Sequence, residues 1–218
     1  MEWVIKIGGS LFPKYAIDLA NSLKDTKSLI IIGGGDFANL IRKYDLEFQF
    51  SENITHETAI DSMDILAKLL NDKLNFTKLA FSIDEANHIS NNGFIPILVV
   101  SDILKEHDPF EYSWDITSDS ISAYVANLVK AKLLIATNVE GIYNRNPNEI
   151  GSKLIEKIDA KKLLTFKESS IDLKLPSLLL EFGTDCYVVN GKHPERVLSI
   201  INDNVNNYNF KYTKIIGD

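Results

Sequence analysis

Short apolar runs alternate with amphipathic stretches along almost the whole chain. Residues 28–32 are apolar without a break after Ser28, which is typical of a strand covered on both faces of its sheet. Residues 14–24 instead place their apolar side chains on one face of a predicted helix. The alternation predicts an α/β fold, a three-layer αβα sandwich around a mostly parallel central sheet.

The same pattern predicts the remaining elements. Strands are predicted at 2–7, 78–82, 95–100, 132–136, 187–189 and 210–216. Helices are predicted at 37–44, 56–74, 84–91, 118–130, 159–164, 176–182 and 194–201. Thr55 is the expected N-cap of the long helix. We expect irregular structure at 45–54 and 101–116, and a polar loop that could contain a hairpin at 137–153.

Glycine-rich turns follow the first two predicted strands. Gly8-Gly9-Ser10 comes directly after the first strand, which carries Lys6, and Gly33-Gly34-Gly35 ends the second. Without Cβ atoms, the backbone can approach a bulky anion, and its N–H groups, the hydroxyl and the lysine can all bind phosphate. Because ligands bind at the carboxyl ends of parallel strands, both turns are candidate phosphate sites. Plain tight turns are the alternative.

Polar residues also follow the later strands. Asp115 and Asp119 are four residues apart at the start of a predicted helix, where capping and the helix dipole alone could account for them. Residues 137–143 form another polar strand end, which by itself indicates only a turn. Together with the first glycine turn, Gly33–Gly35, Asp119 and the 137–143 loop are expected to converge on the same edge of the sheet.

Composition and missing motifs exclude several classes of protein. The 218 residues carry a net charge of −7, which argues against nucleic acid as a partner. A single cysteine, Cys186, in an apolar run indicates a buried thiol and a reducing cytoplasm. We see no leader peptide and no membrane-length apolar run. The P-loop, dinucleotide, protein-kinase and hydrolase motifs are absent, and the four histidines show no metal-ligand spacing.

Four motifs in order resemble the amino acid kinase family, whose members have the carbamate kinase-like fold. They are Lys-x-Gly-Gly-Ser at 6–10, Gly-Gly-Gly at 33–35, Ile-Thr-Ser-Asp-Ser at 116–120 and Thr-Asn-Val-Glu-Gly-Ile-Tyr at 137–143. The stretches 56–60, 113–120, 189–197 and 212–217 resemble one archaeal branch, which acts in methanofuran biosynthesis. That branch transfers the γ-phosphoryl group of ATP to a phosphomonoester and makes a diphosphate.

The resemblance implies roles for the motif residues. Lys6 would reach the transferred group, Asp119 would hold the lysines, and Lys14 would be a second lysine near the phosphates, unless it is only a solvated helix residue. The ATP phosphates would lie along Gly8, Gly9 and Ser10, and the acceptor phosphate would face Gly33, Gly34, Gly35 and His56. The nucleotide would contact Thr137, Asn138, Gly141, Ile142, Tyr143 and Lys153.

Two positions depart from the family pattern. The family usually has aspartate where this chain has Asn138 and Glu140. The amide at 138 can still hydrogen-bond but carries no charge. The family's downstream lysine has Lys174 as its nearest candidate, with a plain surface residue as the alternative.

The acceptor of that branch carries an aminomethyl cation, which favours a carboxylate and an aromatic face. Glu57, Asp61 and Asp64 share one side of the long predicted helix, where a solvated acidic face is the alternative. Trp114 and Asp115 are the other candidates, and local packing would equally explain them.

The chain is therefore expected to be one domain over 1–218, with an acceptor-binding part at about 1–130 and a nucleotide-binding part at about 131–218. The expected cofactors are ATP and Mg²⁺, the ion bound mainly through ATP oxygens with no protein metal site. The expected partner is a small phosphomonoester, with no nucleic acid or membrane. The resemblance also implies self-association into dimers or multiples of dimers, because family members commonly pair through the helix after the second glycine run. Isopentenyl phosphate kinase activity and a non-catalytic nucleotide-binding regulator are the alternative functions.

Overall fold

The computed structural model describes residues 1–107, 110, 114–166, 169–205 and 210–217. The strands are β1 (Trp3–Ile7), β2 (Ser28–Ile32), β3 (Thr77–Ala80), β4 (Ile95–Leu98), β5 (Lys132–Thr137), β6 (Ile142–Tyr143), β7 (Leu154–Ile155), β8 (Lys157–Asp159), β9 (Cys186–Asn190) and β10 (Tyr212–Ile216). The helices are α1 (Lys14–Ser22), α2 (Gly35–Phe48), α3 (Glu52–Asp72), α4 (Ile83–Asn91), α5 (Val100–His107), α6 (Ser118–Val129), α7 (Ala160–Leu163), α8 (Leu175–Phe182) and α9 (Pro194–Ile201).

Eight strands form one sheet in the order β3-β4-β2-β1-β5-β9-β10-β8. Every neighbouring pair is parallel except β9 and β10, which are antiparallel. The first strand therefore lies in the middle, between β2 and β5. The predicted mostly parallel sheet is confirmed, and β6 and β7 form a separate antiparallel hairpin within the predicted polar loop.

Each face of the sheet has its own apolar core. Val4, Leu29 and Ile31 face a core that includes side chains of α4, α6 and α8. Ile5 and Ile30 face the opposite core, with side chains of α1 and α9. Because consecutive residues of a strand point to opposite faces, a strand in the middle layer is apolar at almost every position. This confirms the three layers. The Cys186 thiol is completely buried, and burial raises its pKa well above its usual value.

Two stretches predicted to be irregular are helical. The predicted loop at 45–54 was wrong, because α2 continues to Phe48 and α3 begins at Glu52 with Ser51 as its N-cap. Thr55 is therefore inside α3 and its hydroxyl donates to backbone carbonyls one turn back. Residues 100–107 form α5, although 101–116 had been predicted irregular.

The start of α5 depends on a distant carboxylate. The Val100 N–H donates to Asp64 Oδ1 at 2.9 Å, and Asp64 lies on α3, 36 residues earlier. Burial raises the pKa of Asp64, although hydrogen bonds from Ser101 and Val100 oppose that shift. A helix start that is satisfied by a remote side chain leaves no local capping signal, which explains why the pattern of residues near 100 did not predict α5.

Candidate active site

The turns that carry the motifs lie together at one edge of the sheet. β2, β1, β5 and β9 are consecutive neighbours and are parallel, so their carboxyl ends coincide. Backbone hydrogen bonds join the turns directly: Gly33 N donates to Ile7 O at 2.9 Å, and Gly8 N donates to Ala136 O at 2.8 Å. Gly191 N, after β9, donates to Thr137 O at 2.8 Å. The predicted convergence of the strand ends is confirmed.

The two glycine turns touch each other through their backbones. A methyl group at Gly9 would overlap the backbone nitrogen of Gly35 and would lie 2.8 Å from the carbonyl oxygen of Gly33. Gly35 has a φ of +56°, a conformation that side chains disfavour, and begins α2. These glycines are required by a close approach of two chains. Their contact brings N–H groups of both turns, and the N-terminus of α2, to one place.

A buried ion pair lies next to the glycine turns. Lys6 Nζ on β1 is 2.6 Å from Asp119 Oδ1 on the first turn of α6, and the two side chains are only 10% and 7% exposed. Thr117 caps α6, which sets the direction in which Asp119 projects. The pair holds a lysine cation at the end of the central strand, beside the N–H groups that can bind phosphate. The structure thus brings together Lys6, Asp119, Gly8, Gly9, Gly33 and Gly35.

An open cavity of about 230 Å³ begins at the glycine turns and extends between α2 and α3. One face of each helix lines it, because residues three and four apart share a helix face. The lining includes Gly9, Ser10, Gly33, Gly34, Gly35, Ala38, Asn39, Arg42, His56, Ala59, Ile60, Met63, Trp114, Ile116, Thr117, Ser118 and Ile121. The cavity is therefore polar at the glycine end and apolar along the α3 side.

His56 and Arg42 lie at the end of this cavity that is away from the glycines. A side chain at Gly34 would meet Ser62, so Ser62 is the α3 residue beside the turn. His56 is six residues earlier on α3, a distance of about 9 Å along the helix. His56 therefore shares the cavity with Gly33–Gly35 without being adjacent to Gly34. Among the lining residues that the structure describes, Arg42 is the only lysine, arginine, aspartate or glutamate.

Trp114 is held in place by α2. Its Nε1–H donates to Asp45 Oδ2 at 2.8 Å, and the Arg42 guanidinium lies 4.7 Å from the centre of its ring. The tryptophan therefore lines the cavity as predicted, but it already stacks on a cation of the same chain. Asp115 is exposed and does not belong to the cavity lining. Neither Arg42 nor Asn39 was a candidate from the sequence, although both follow the glycine turn at helical spacing from Gly35.

A second cavity, of about 280 Å³, adjoins the first between α3 and α5. It shares His56 and Ile60 with the first cavity, and Glu57, Asp61 and Lys105 are its other charged residues. Asp64 lines neither cavity, because its buried carboxylate caps α5. Of the three predicted carboxylates on α3, two thus face a common cavity and one has a structural partner.

The predicted nucleotide residues lie along β5 and the hairpin. Ile142 is completely buried, and its N–H donates to Thr213 Oγ1 at 2.8 Å, so its contribution is structural. Thr137 and Tyr143 are partly exposed, whereas Asn138 and Lys153 are exposed. Gly141 is buried against Thr213, which also donates to Ile155 O at 2.6 Å.

Glu140, one of the two departures from the family pattern, makes hydrogen bonds that connect the loop after β5 to neighbouring elements. It accepts hydrogen bonds from Asn190 Nδ2 at 2.8 Å and from Arg196. Burial alone would raise the pKa of Glu140, but the bonds from Asn190 and Arg196 outweigh it, and the pKa is lowered. The carboxylate therefore joins the end of β5 to the end of β9 and to α9.

Two predicted lysines lie outside the cavity. Lys14 on α1 is exposed, pairs with Asp18 at 2.8 Å and lies against the Tyr15 ring, as does Lys192. Lys174 is exposed and precedes the first residue of α8. Their predicted contacts with phosphates stay predictions.

Asp172 was not predicted from the sequence, yet it is central to the site. Its carboxylate accepts hydrogen bonds from Thr117 and Ser120 on α6 and from Leu175 on α8. The donors on α6 are 52 to 55 residues away in sequence. A single aspartate in a polar stretch carries no local signal for such a role.

The described residues contain no group of three or more histidine, cysteine, aspartate or glutamate side chains that could hold a metal ion. No helix in the described part of the chain is long and apolar enough to cross a membrane.

The arrangement defines a class, the ATP-dependent kinases that phosphorylate small molecules. The chain belongs to the amino acid kinase family, whose model matches residues 1–190. A relative from Methanocaldococcus jannaschii, [5-(aminomethyl)furan-3-yl]methyl phosphate kinase, is 38% identical over 98% of this chain and 97% of its own length. A uridylate kinase from Methanococcus maripaludis is 29% identical over 94% of this chain and 97% of its own length.

Solved structures have the same fold. Uridylate kinase from Archaeoglobus fulgidus superposes with a TM-score of 0.76 at 20% identity, over 99% of this chain and all of the other. An isopentenyl phosphate kinase in its substrate complex gives 0.66 at 21% identity, over 98% and 99% of the two chains. These similarities confirm the predicted fold and the predicted family.

Proposed function

We propose that this kinase transfers the γ-phosphoryl group of ATP to [5-(aminomethyl)furan-3-yl]methyl phosphate, giving the diphosphate and ADP in methanofuran biosynthesis. The observation that carries this acceptor is the 38% identity to the M. jannaschii enzyme over 98% of the chain. The site supports the reaction class, because it combines two N–H-rich turns with a buried lysine and leads into a cavity of small-molecule size.

The reaction needs charge neutralisation more than a base. An acceptor phosphate oxygen is already anionic near neutral pH; it bonds to the γ-phosphorus while the bond to the bridging oxygen of ADP breaks. Lys6 stabilises the charge on the transferred group, and Asp119 holds the lysine in place. Asp119 acts as a positioning residue in this scheme, since no proton has to be removed from the acceptor.

The two substrates approach Lys6 from opposite sides. The ATP phosphates lie along Gly8, Gly9 and Ser10, while the acceptor phosphate takes the N–H groups of Gly33–Gly35 at the start of α2. Lys14 and Lys174 are exposed and would have to swing toward the phosphates to take part. Mg²⁺ would be held mainly by ATP oxygens, because this ion keeps several waters and needs few protein ligands.

The two halves of the chain divide the substrates between them. All described lining residues of the acceptor cavity come from the first 121 residues, which supports an acceptor-binding part at about 1–130. Residues 131–218 supply β5, the hairpin and β9, with Thr137, Asn138, Gly141, Tyr143 and Lys153 on the nucleotide side. A cytoplasmic location follows from the chemistry of ATP and from the single, buried cysteine.

Charged side chains recognise the end of the acceptor that is farthest from its phosphate. Arg42 lies at the end of the first cavity that is away from the glycine turns, where a cation disfavours the amine. Among the described residues that line the adjoining cavity beyond His56, the carboxylates Glu57 and Asp61 outnumber the cation Lys105. An acceptor with its phosphate at the glycine turns and its ring along Ile60 thus directs its ammonium group toward Glu57 and Asp61, while Trp114 and Asp115 remain the other candidates on the α2 side.

An acceptor screen tests the function. ATP consumption is measured with the aminomethylfuran phosphate, isopentenyl phosphate, UMP and N-acetylglutamate, and phosphorus NMR identifies the product. The furan phosphate is expected to have the highest kcat/KM and to give a diphosphate. No turnover of the furan phosphate, with strong turnover of another acceptor, would overturn the proposal.

The amine subsite has its own test. In the double variant Glu57→Gln/Asp61→Asn, the KM for the aminomethylfuran phosphate should rise about tenfold or more, as expected for the loss of charge-assisted bonds. The KM for the analogue with a methyl group in place of the aminomethyl group should not change. Asp72→Asn, at the far end of the same helix and paired only with Lys73, is the control. Equal effects on both acceptors would exclude these carboxylates.

Isopentenyl phosphate is the second candidate acceptor. The observation that favours it is the apolar wall of the first cavity, formed by Ala59, Ile60, Met63 and Ile121. Its tail carries no cation, so it would leave Glu57 and Asp61 unused. A non-catalytic nucleotide-binding regulator is disfavoured by the intact Lys6–Asp119 pair.

A further inference from the structure

Asp172 lies where the segment before α8 crosses the start of α6. Its Oδ2 accepts hydrogen bonds from Thr117 N at 3.0 Å, Thr117 Oγ1 at 2.8 Å and Ser120 N at 2.9 Å. Its Oδ1 accepts from Ser120 Oγ at 2.5 Å and from Leu175 N at 2.8 Å. One carboxylate therefore satisfies free N–H groups at the beginnings of two helices, α6 and α8.

The same residue is bonded to the ion pair of the active site. The backbone N–H of Asp172 donates to Asp119 Oδ2 at 3.2 Å, while Asp119 Oδ1 contacts Lys6 Nζ at 2.6 Å. Both oxygens of Asp119 are thus engaged, one by the lysine and one by the segment that carries Asp172. A displacement of that segment would be transmitted to Asp119, and from there to the ammonium group of Lys6.

This location is electrostatically unfavourable for a carboxylate. Burial raises the pKa of Asp172, and the neighbouring charge of Asp119 raises it further, while the hydrogen bonds from Ser120 and Thr117 oppose the shift. Buried charges are retained where several donors fix them, and their removal leaves those donors unsatisfied. The five donors around Asp172 hold its carboxylate in one orientation. The arrangement therefore contributes more to the position of the neighbouring groups than to the stability of the fold.

We propose that Asp172 is a positioning residue that fixes Asp119, and through it Lys6, relative to the transferred phosphoryl group. It touches neither substrate. Because it also binds the first N–H of α8, it joins the segment that carries Lys174 in the second half of the chain to α6 in the first half. This inference rests on the proposed role of Lys6 and adds the residue that sets the position of its partner.

Asp172→Asn is the direct test. Both carboxylate oxygens face backbone N–H groups, so the amide NH₂ must oppose one of them in either orientation. We expect kcat to fall about tenfold to a hundredfold, the usual effect of a small misplacement of a catalytic group, with KM for both substrates nearly unchanged. A kcat equal to that of the unmodified enzyme would overturn the proposal, as would an effect confined to KM.

A second measurement separates positioning from general structural damage. If Asp172 acts through Asp119, the fold-change caused by Asp172→Asn should largely disappear in an Asp119→Asn background, measured in single turnovers with excess enzyme. A fold-change of the same size in both backgrounds would contradict the proposal. Lys6→Ala is measured in parallel. If Lys6→Ala remains active, the proposed role of Lys6 is refuted. If Lys6→Ala is inactive but Asp172→Asn is unimpaired, only the role of Asp172 is refuted.

Asp185→Asn is the matched control. Asp185 precedes β9 at the opposite edge of the sheet, pairs with Lys214 at 2.7 Å and accepts from Gly217 N at 3.2 Å. Its replacement should lower the melting temperature without changing kcat.

If Asp172→Asn does not fold, Ser120→Ala is tested instead, because this substitution removes one of the five donors and leaves the Asp172 carboxylate in place. A fall in kcat of about threefold is then expected, as for one lost hydrogen bond, and an unchanged kcat would overturn the proposal.

Discussion

Lys6 and Asp119 form a buried ion pair to which we assign both a structural and a chemical role. The two charges are almost completely buried, so each depends on the other. Removing one charge leaves the other without its partner in a poorly solvated place, whereas replacing both with neutral residues of similar size removes the problem. The two roles can therefore be separated by substitution.

Lys6→Met should abolish phosphoryl transfer and lower the free energy of unfolding by about 3–5 kcal/mol, because Asp119 loses its cation. The double variant Lys6→Met/Asp119→Asn should recover most of that stability but no activity. Urea denaturation and a coupled ATP assay measure the two quantities. A double variant with substantial turnover would show that Lys6 does not stabilise the transferred group.

Glu140 should contribute a pH-dependent part of the stability. Its pKa is lower in the folded protein than the usual 4.5, so its stabilising effect is present above that pH and is lost as the pH falls through the folded pKa. Glu140→Gln should therefore melt below the unmodified protein at pH 7, and the difference should shrink in acid. Asp172 is present in both proteins, so its raised pKa contributes equally to the pH dependence of their stability.

Thermal melts from pH 7 to pH 3.5 measure this difference. Glu2→Gln is the control, because Glu2 pairs with Lys27 at the surface and both side chains are mostly exposed. A difference in melting temperature between Glu140→Gln and the unmodified protein that stayed constant across this range would contradict the assignment.

Among the elements, the hairpin of β6 and β7 depends on a hydroxyl from β10. Thr213 is completely buried, accepts from Ile142 N and donates to Ile155 O, so it joins both hairpin strands to the main sheet. The hairpin itself has only two residues in each strand. Two-stranded hairpins are marginally stable alone, so this one relies on its attachment to β10.

Thr213→Val keeps the shape of the side chain and removes both hydrogen bonds. It should lower the free energy of unfolding by about 1–3 kcal/mol, since the Ile142 N–H is left buried without a partner. The KM for ATP should rise if the hairpin lies on the nucleotide side, as we propose. Thr165→Val, whose hydroxyl bonds only to Lys162 O at an exposed position, should change the stability by less than about 0.5 kcal/mol. An unchanged KM for ATP would separate the hairpin from nucleotide binding.

The molecule as a whole leaves one helix poorly covered. No residue of α2 is buried, and Phe37, Leu40, Tyr44 and Phe48 form an exposed apolar row. The opposite face of α2 lines the acceptor cavity. Because contiguous apolar surface of this kind marks interfaces, and a symmetric dimer uses the same patch twice, we propose that two copies associate through α2.

Leu40→Glu should convert that dimer into a monomer in size-exclusion chromatography with light scattering, because the symmetric contact would then place two carboxylates in apolar surroundings. Lys43→Glu, on the same helix but outside the apolar row, should remain a dimer. A monomeric unmodified protein would refute the interface directly. A Leu40→Glu variant that is still a dimer would show that the two copies associate through another surface.

Much of the architecture was predictable because its causes are local. The apolar runs identified β1, β2, β5 and β9 within a residue or two, and the rule that parallel strands share their carboxyl ends predicted that Gly8, Gly33 and Thr137 would meet. Helix periodicity likewise predicted α1, α6 and α9. These features depend on neighbours within about one turn or one strand, so they can be predicted from the sequence alone.

The remaining features depend on residues that are far apart in sequence. The start of α5 is capped by Asp64, 36 residues earlier in the sequence, so it has no complete signal nearby. The start of α6 has a local cap in Thr117, but its further partner Asp172 is 52 residues away from Ser120. Arg42 and His56 belong to the cavity only because α2 and α3 run side by side. The chain alone thus determined the layers and the glycine turns that meet at one edge of the sheet. Only the folded structure decided how Lys6 is held, because that requires α6 and the segment before α8 to meet at one ion pair.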